Sequence, residues 1–395
     1  MLDYTIFGES HGPAVGVLVT GAAPGLPVDR EIIARELERR APGGPLATAR
    51  HEPDRLHILS GVYQGFTTGD PICLVLENRD TRSGDYEALR NKPRPGHADY
   101  AAWVRSGGHN DPRGGGAYSG RLTAPLVAAG AMVNAWLKEQ DIELKAQVID
   151  ENALRQQAAE AKADGDSVGG EIACTVTGLP AGLGGPGWRE AVESELARHL
   201  FAIPAVKALG FGDGAALAHM RGSRANDPLR TDGTCVRTVT NHNGGINGGV
   251  TNGMPLTFTV TFKPTPSIAL PQDTVDLSRM ENCTVAVTGR HDPCVPLRAA
   301  AALALWRVLD PRGGDLKSLR LQLDDVDRQL VGLLVRRQEL SRDIGAYKAA
   351  HGLPVRDPER EAQVLRSRGD LAPEHRAEVG RLYETLMALS REQQS

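Results

Sequence analysis

Apolar residues along the first 310 positions come in short bursts. Residues 14–20, 71–77, 170–176 and 256–262 are compact runs rich in Val, Ile, Leu, Phe and Thr, and they predict strands. Residues 29–40, 121–138, 188–200 and 297–309 repeat apolar positions at steps of three and four and predict helices. Strands alternate with helices, yet many neighbouring strands read as antiparallel hairpins, so the pattern predicts an α+β body rather than a doubly wound sheet. Asp310-Pro311-Arg312-Gly313-Gly314 then interrupts the chain and predicts a linker between a domain at 1–309 and one at 315–395.

Beyond the linker the pattern changes. Leu316, Leu319, Leu323, Val326, Leu330, Leu333, Arg337, Leu340, Ile344 and Tyr347 recur at alternating steps of three and four. That stripe predicts one long helix, with Asp315 as its cap and Gly352-Leu353-Pro354 as its end. Helices at 358–368 and 373–392 complete an all-α domain. Arg337 interrupts the apolar stripe, and a buried cation without an anion costs several kcal/mol, on the order of 3–5. Lys348 lies about three turns further on and projects from the same side. Two cations on an apolar face are placed to hold an anionic ligand. Arg320 precedes Arg337 by about 25 Å of helix, so one small ligand can meet both only if a second chain supplies Arg320.

Composition narrows the class. A chain of 395 residues exceeds the size of one hydrophobic core. Gly and Pro concentrate before residue 315, as expected for a loop-rich first domain. A net charge of −4 excludes the strongly basic balance of a nucleic-acid or anionic-membrane binder. No apolar stretch is long enough to span a bilayer, and residues 1–7 lack a basic segment leading into an apolar run. A cytoplasmic protein is therefore expected. Cys73, Cys174, Cys235, Cys283 and Cys294 are dispersed with no C-x-x-C pair, which argues against a disulfide framework and a zinc site.

Candidate chemistry in the first domain sits on turns. Gly8-Glu9-Ser10-His11-Gly12, Arg94-Pro95-Gly96-His97-Ala98-Asp99 and Gly289-Arg290-His291-Asp292-Pro293-Cys294 each set proton carriers or an Arg/Asp pair beside glycine. Such turns suit acid–base work on a phosphorylated substrate; a metal held by His11, His97 and His291 is the weaker reading. Residues 182–187 spell G-x-G-x-x-G, but Pro186 inside the turn argues for a structural loop over a dinucleotide site.

These three turns, together with Arg39-Arg40, Glu52-Pro53-Asp54, Arg113-Gly114-Gly115-Gly116, Gly244-Gly245-Ile246-Asn247-Gly248-Gly249 and Lys263-Pro264-Thr265-Pro266-Ser267, resemble chorismate synthase over residues 5–309. The resemblance implies helices packed between antiparallel sheets, reduced FMN as cofactor, and loss of phosphate from 5-enolpyruvylshikimate 3-phosphate to give chorismate. It implies that His11 protonates the leaving phosphate, that His97 lies near the flavin, and that Asp292 relays the substrate proton at flavin N5. Arg39, Arg40, Arg113 and Arg290 would pair with anionic groups of substrate or flavin. Ser119, Lys263, Pro264, Thr265, Pro266 and Ser267 belong to flavin-contacting segments, as does Arg290. The chain departs from many relatives at Ala41, Leu46, Ala117 and Tyr118.

Residues 316–394 are similar to the all-helical chorismate mutases that form intertwined dimers and give prephenate. By that resemblance Arg337 and a second chain's Arg320 hold the substrate carboxylates. Lys348 and Gln394 meet the breaking ether oxygen. Glu361 and Asp357 address the ring hydroxyl, and Arg360 and Ser390 support the site. A homo-oligomer follows, a dimer through the mutase and a tetramer through the synthase. The rival readings are a synthase with a helical oligomerisation or effector-binding tail, and a dehydrogenase built on the 182–187 turn.

Overall fold

The computed structural model describes residues 2–41, 54–79, 89–233, 235–287, 316–370 and 373–394, with the backbone alone at 316–329 and 393–394. The chain divides into two compact units, Met1–Asp310 and Pro311–Ser395.

The first unit holds two four-stranded antiparallel sheets. One contains β1 (Asp3–Gly8), β2 (Ala14–Thr20), β3 (Leu56–Ser60) and β4 (Ile72–Glu77) in the order β1-β2-β4-β3. The other contains β5 (Glu143–Val148), β6 (Gly170–Thr177), β7 (Val206–Phe211) and β8 (Leu256–Phe262) in the order β5-β6-β8-β7. Alternation decides which face is covered: Ile72, Leu74 and Leu76 point into the core while Cys73, Val75 and Glu77 are part-exposed.

Helices lie against these sheets. α1 (Arg30–Arg40) is capped by Asp29, whose carboxylate accepts from the N–H groups of Glu31 and Ile32. Its buried face is Ile33, Leu37 and Arg40. α2 is Asp99–Ser106 and α3 is Thr123–Lys138. All but two residues of α3 are buried, the mark of a helix enclosed on every side. It packs on α1, on β2 and β4 of one sheet, and on β5 of the other. Trp136 anchors it, its indole N–H donating to Pro27 O at 2.6 Å. α4 (Glu151–Ala163) and α5 (Val192–Leu200) follow.

Two sequence expectations change. Residues 120–122 form a 3₁₀ turn before α3, because Ser119 Oγ caps the Arg121 N–H. The helix expected from 188 begins at Val192; Glu190 and Ala191 close a turn on Gly187 O instead, leaving Trp188 exposed. The G-x-G-x-x-G turn is a loop bonded to its own fold, in keeping with the structural reading. Thr251 engages it, with Gly182 N donating to Thr251 O and Leu183 N to Thr251 Oγ1. The helix expected at 297–309 and the linker at 310–314 lie outside the described residues.

The second unit is α6 (Leu316–Ala350), α7 (Pro358–Gly369) and α8 (Arg376–Gln394), with a 3₁₀ turn at Pro373–His375. Asp357 caps α7 and Pro358 fills its first position. The expected single stripe on α6 divides between two faces. Leu334, Arg337, Ser341, Gly345 and Lys348 form its part-covered side, and α6 packs on α8. Leu330, Leu333, Leu340, Ile344 and Tyr347 are each about half exposed or more in the single chain. Asp315 lies outside the described residues. Among the described residues no helix is long and apolar enough to cross a membrane, and no disulfide joins Cys73, Cys174, Cys235 and Cys283.

Candidate active sites in the two units

The loop joining β1 to β2 carries the first histidine. Ser10 is fully buried; its N–H donates to Gly116 O at 3.2 Å and its hydroxyl reaches the carbonyls of Arg113 and Gly114 at 3.3 and 3.2 Å. This ties the loop to the turn Arg113–Tyr118, where Gly114 and Gly115 have φ of +59° and +87°. A Cβ at Gly114 would stand 2.6 Å from His11 Cδ2, and one at Gly115 2.7 Å from His97 Cε1. The two histidines therefore pack on consecutive residues, whose Cα atoms are about 3.8 Å apart, although 86 positions separate them in sequence.

His97 is held by its own turn. Its Nδ1 bonds to Asp99 Oδ1 at 2.5 Å, and Asp99 also takes Arg94 Nε at 2.7 Å and Arg94 Nη2 at 2.9 Å. Burial pushes the Asp99 carboxyl up, but the Arg94 and then the His97 hydrogen bonds outweigh it and hold it well below the usual carboxylate range. Arg94 Nη1 continues to Ser267 Oγ at 3.2 Å, and Lys263 Nζ donates to Gly96 O. These bonds bring the 263–267 segment onto the histidine turn. A cavity of about 250 Å³ opens there between Pro95-Gly96 and residues 263–266. Burial, then the charge of Lys207, lowers the Lys263 pKa.

Other arginines of the unit are engaged by its own groups. Arg113 is half exposed and pairs with Asp111 at 2.8 Å. That hydrogen bond lowers the Asp111 carboxyl, while burial and then the Asp111 charge raise Glu9. Arg40 is buried and reaches Thr123 Oγ1 and Asp54 Oδ2, each at 3.3 Å. Arg121 is buried on the other oxygen of the same carboxylate. Arg39 faces outward and pairs with Glu36 at 2.9 Å. Helical spacing explains the contrast, since Arg40 continues the buried line of Ile33 and Leu37 and Arg39 does not. Ser119 is buried as a helix cap, and the hydroxyl of the part-exposed Tyr118 accepts from Arg105 at 2.9 Å.

In the second unit, Arg337 Nη1 donates to Leu386 O at 2.8 Å and to Ser390 Oγ. Ser341 links to Ser390 at 3.1 Å, so α6 and α8 meet through a polar seam. Lys348 Nζ donates to Val355 O at 2.7 Å. Glu361 takes Arg391 at 2.8 Å and lies 3.7 Å from Arg356. Arg360 donates its backbone N–H to Asp357 Oδ1 at 3.0 Å. Arg337, Lys348, Glu361 and Ser390 thus all lie within this small helical unit. The side chains of Arg320 and Gln394 lie outside the described residues.

Residues 2–308 match the family model described as chorismate synthase. The chain belongs to the chorismate synthase family. The chorismate synthase of Aeropyrum pernix is 48% identical over 328 residues, covering 75% of this chain and 86% of that protein. That of Thermococcus kodakarensis is 46% identical over 325 residues, 76% of this chain and 91% of that protein. A crystal structure of chorismate synthase superposes with a TM-score of 0.62 at 25% identity, spanning 83% of this chain and 98% of that one. Residues 319–395 match the family described as chorismate mutase type II. The chain thus unites a chorismate synthase domain with a chorismate mutase domain, and the two families identify both enzymatic activities.

Within the chorismate synthase domain the structure brings together His11, His97, Arg113, Lys263 and Ser267 through the glycine turn and the Arg94 bonds. It places Arg40 in the buried Asp54 pair and Arg39 on the outside. Arg290 and Asp292 lie outside the described residues. Sequence reasoning placed Arg94 and Asp99 in a candidate turn without giving either a specific task, and gave no role to Arg121, Asn78 or Arg391. Arg94 and Asp99 carry a readable signal, opposite charges flanking a histidine within six residues. Asn78 carries none, because its partners lie on distant segments.

The Asp99 pair generates a pH prediction. Its folded-state pKa lies below the unfolded-state value of about 4, so its stabilisation is complete above about pH 4 and fades as acid protonates the carboxylate. Asp99→Asn should cost roughly 3–5 kcal/mol at pH 7, with a gap to wild type that narrows below about pH 4. All four tryptophans precede residue 310, so urea unfolding followed by tryptophan fluorescence reads this unit. A gap independent of pH contradicts the assignment.

Proposed function

We propose that the chain makes chorismate from 5-enolpyruvylshikimate 3-phosphate with reduced FMN and then rearranges it to prephenate. The observation that carries the first half is the meeting of His11 and His97 over Gly114-Gly115, beside the 263–267 segment. FMN suits that segment: Lys263, Thr265 and Gly96 line the cavity there, where an ammonium, a hydroxyl and glycine backbone can meet a phosphate. Lys263, Thr265, Ser267 and Ser119 would hold it. When bound, the reduced flavin supplies the transient electron that loosens the C–O bond to phosphate.

The chain's own groups do the rest. In the elimination the C–O bond to phosphate and a ring C–H bond break, and a second ring double bond forms. His11 donates a proton to the departing phosphate oxygen. Asp99 fixes the His97 proton on Nδ1, leaving Nε2, over Gly115, as the nitrogen that exchanges. Arg113 and Arg290 draw the anionic groups in, and Asp292 takes part in carrying away the ring proton. A substrate with two carboxylates and a phosphate calls for several such cations.

The mutase reaction needs no proton transfer. Its requirements are a folded dianion and charge stabilisation at the ether oxygen. Among the described residues Arg337 engages partners through Nη1 alone, so Nε and Nη2 can face a substrate carboxylate. Lys348 and Gln394 act on the ether oxygen, Glu361 and Asp357 on the ring hydroxyl, and Arg360 and Ser390 brace them. Arg320 lies 17 residues before Arg337 on one continuous helix, about 25 Å away. It therefore serves the site of a second copy, and the exposed apolar line of α6 is the dimer seam. The synthase units assemble further into a tetramer, and both reactions belong to the cytoplasm.

Omitting reduced FMN under anaerobic conditions should abolish phosphate release. His11→Ala and His97→Ala should each slow it by about 10- to 10⁴-fold with the mutase untouched. Turnover without flavin sinks this reading. For the mutase, Arg320→Ala and Arg337→Ala should each be nearly inactive, and mixing the two proteins should return up to roughly a quarter of wild-type activity, since one site in each mixed dimer is intact. Demonstrated chain exchange without recovery would assign Arg320 a structural role instead.

A further inference from the structure

The loop that carries His11 runs from Gly8, the last residue of β1, to Ala14, the first of β2. The sheet register sets Glu77 opposite Ala14, so the next residue, Asn78, arrives beside the loop, its backbone N–H on Pro13 O at 3.1 Å. The Asn78 amide nitrogen donates to Glu9 O and to Gly12 O, both at 2.9 Å. Those carbonyls flank Ser10 and His11. On its other side Asn78 Oδ1 accepts from Arg121 Nε at 2.9 Å. Arg121 cannot turn away, because its remaining nitrogens are spent on Asp54 and on Glu77 O at 3.1 Å. A flipped amide would set an oxygen against two carbonyls and a nitrogen against a guanidinium, so the orientation is fixed.

We infer that Asn78 is a positioning residue for the synthase reaction, acting through His11 by clamping both ends of the turn that bears it. Ser10 holds the middle of the turn to the glycine segment, and Asn78 holds its ends to the sheet. Together they set where the imidazole rests on Gly114. Proton donation to a leaving group depends on placement, and an error of about 1 Å can cost on the order of 10²-fold in rate. The inference rests on the assignment of His11 as the proton donor.

Two variants separate positioning from general support. Asn78→Ala removes the clamp. Asn78→Asp keeps the shape and the Arg121 bond but sets oxygens against both carbonyls. Each should lower the synthase kcat by about 10- to 100-fold, with KM for the phosphorylated substrate and the affinity for FMN within about twofold. The decisive readout is the double variant. His11→Ala with Asn78→Ala should be no slower than His11→Ala alone, because a clamp has nothing left to place. Losses that multiply in the double variant overturn the inference. So does a wild-type kcat for Asn78→Asp, or a parallel loss of FMN binding. A wild-type chain with no flavin-dependent phosphate release overturns the His11 assignment itself and the inference with it.

Discussion

Two hydrogen atoms stand where side chains would otherwise be, at Gly114 and Gly115, and the N-terminal site is built around them. Replacing either with a Cβ would drive it into an imidazole, and both residues have positive φ that L side chains rarely adopt. The same turn receives Ser10 through its carbonyls and begins after the Arg113–Asp111 pair. From His97 the connection runs through Asp99 and Arg94 to Ser267. Three segments distant in sequence thus converge on one short piece of backbone.

The charges around it are not surface decoration. Asp54, Arg40 and Arg121 are all buried, and so is Arg94 beside Asp99. Burying such groups is costly unless they are paired and hydrogen-bonded. Each pair here joins a loop to a regular element: Arg40 ends α1, Arg121 precedes α3, and Asp99 opens α2. The ion pairs fix loops to the framework, which is what a preorganised site requires.

Much of the framework was legible in the sequence. Residues 14–20 and 256–262 form strands with the expected bounds, and α6 ends at Ala350, just before the Gly352-Leu353-Pro354 breaker. Local rules failed where a turn competed with a helix, as at Trp188 and at 120–122. The heptad stripe misled in a specific way. At about 100° per residue, steps of three and four turn a side chain by roughly 60° and 40° in opposite senses, so Arg337 is directed toward α8 while Leu333 and Leu340, on either side of it in the stripe, look outward. The histidine turns stood out as candidates by composition. Their meeting over one glycine pair could not be read, because it depends on contacts between residues about a hundred positions apart.

The central claim is that one chain carries both reactions in separate sites, and product identity tests it most directly. Wild type and Arg337→Ala would each be incubated without oxygen with 5-enolpyruvylshikimate 3-phosphate and reduced FMN, and phosphate and organic product measured at completion. The account predicts one equivalent of phosphate from both proteins, with prephenate from wild type and chorismate from the variant. Chorismate as the sole product of wild type, or prephenate formed equally by the variant, would contradict it.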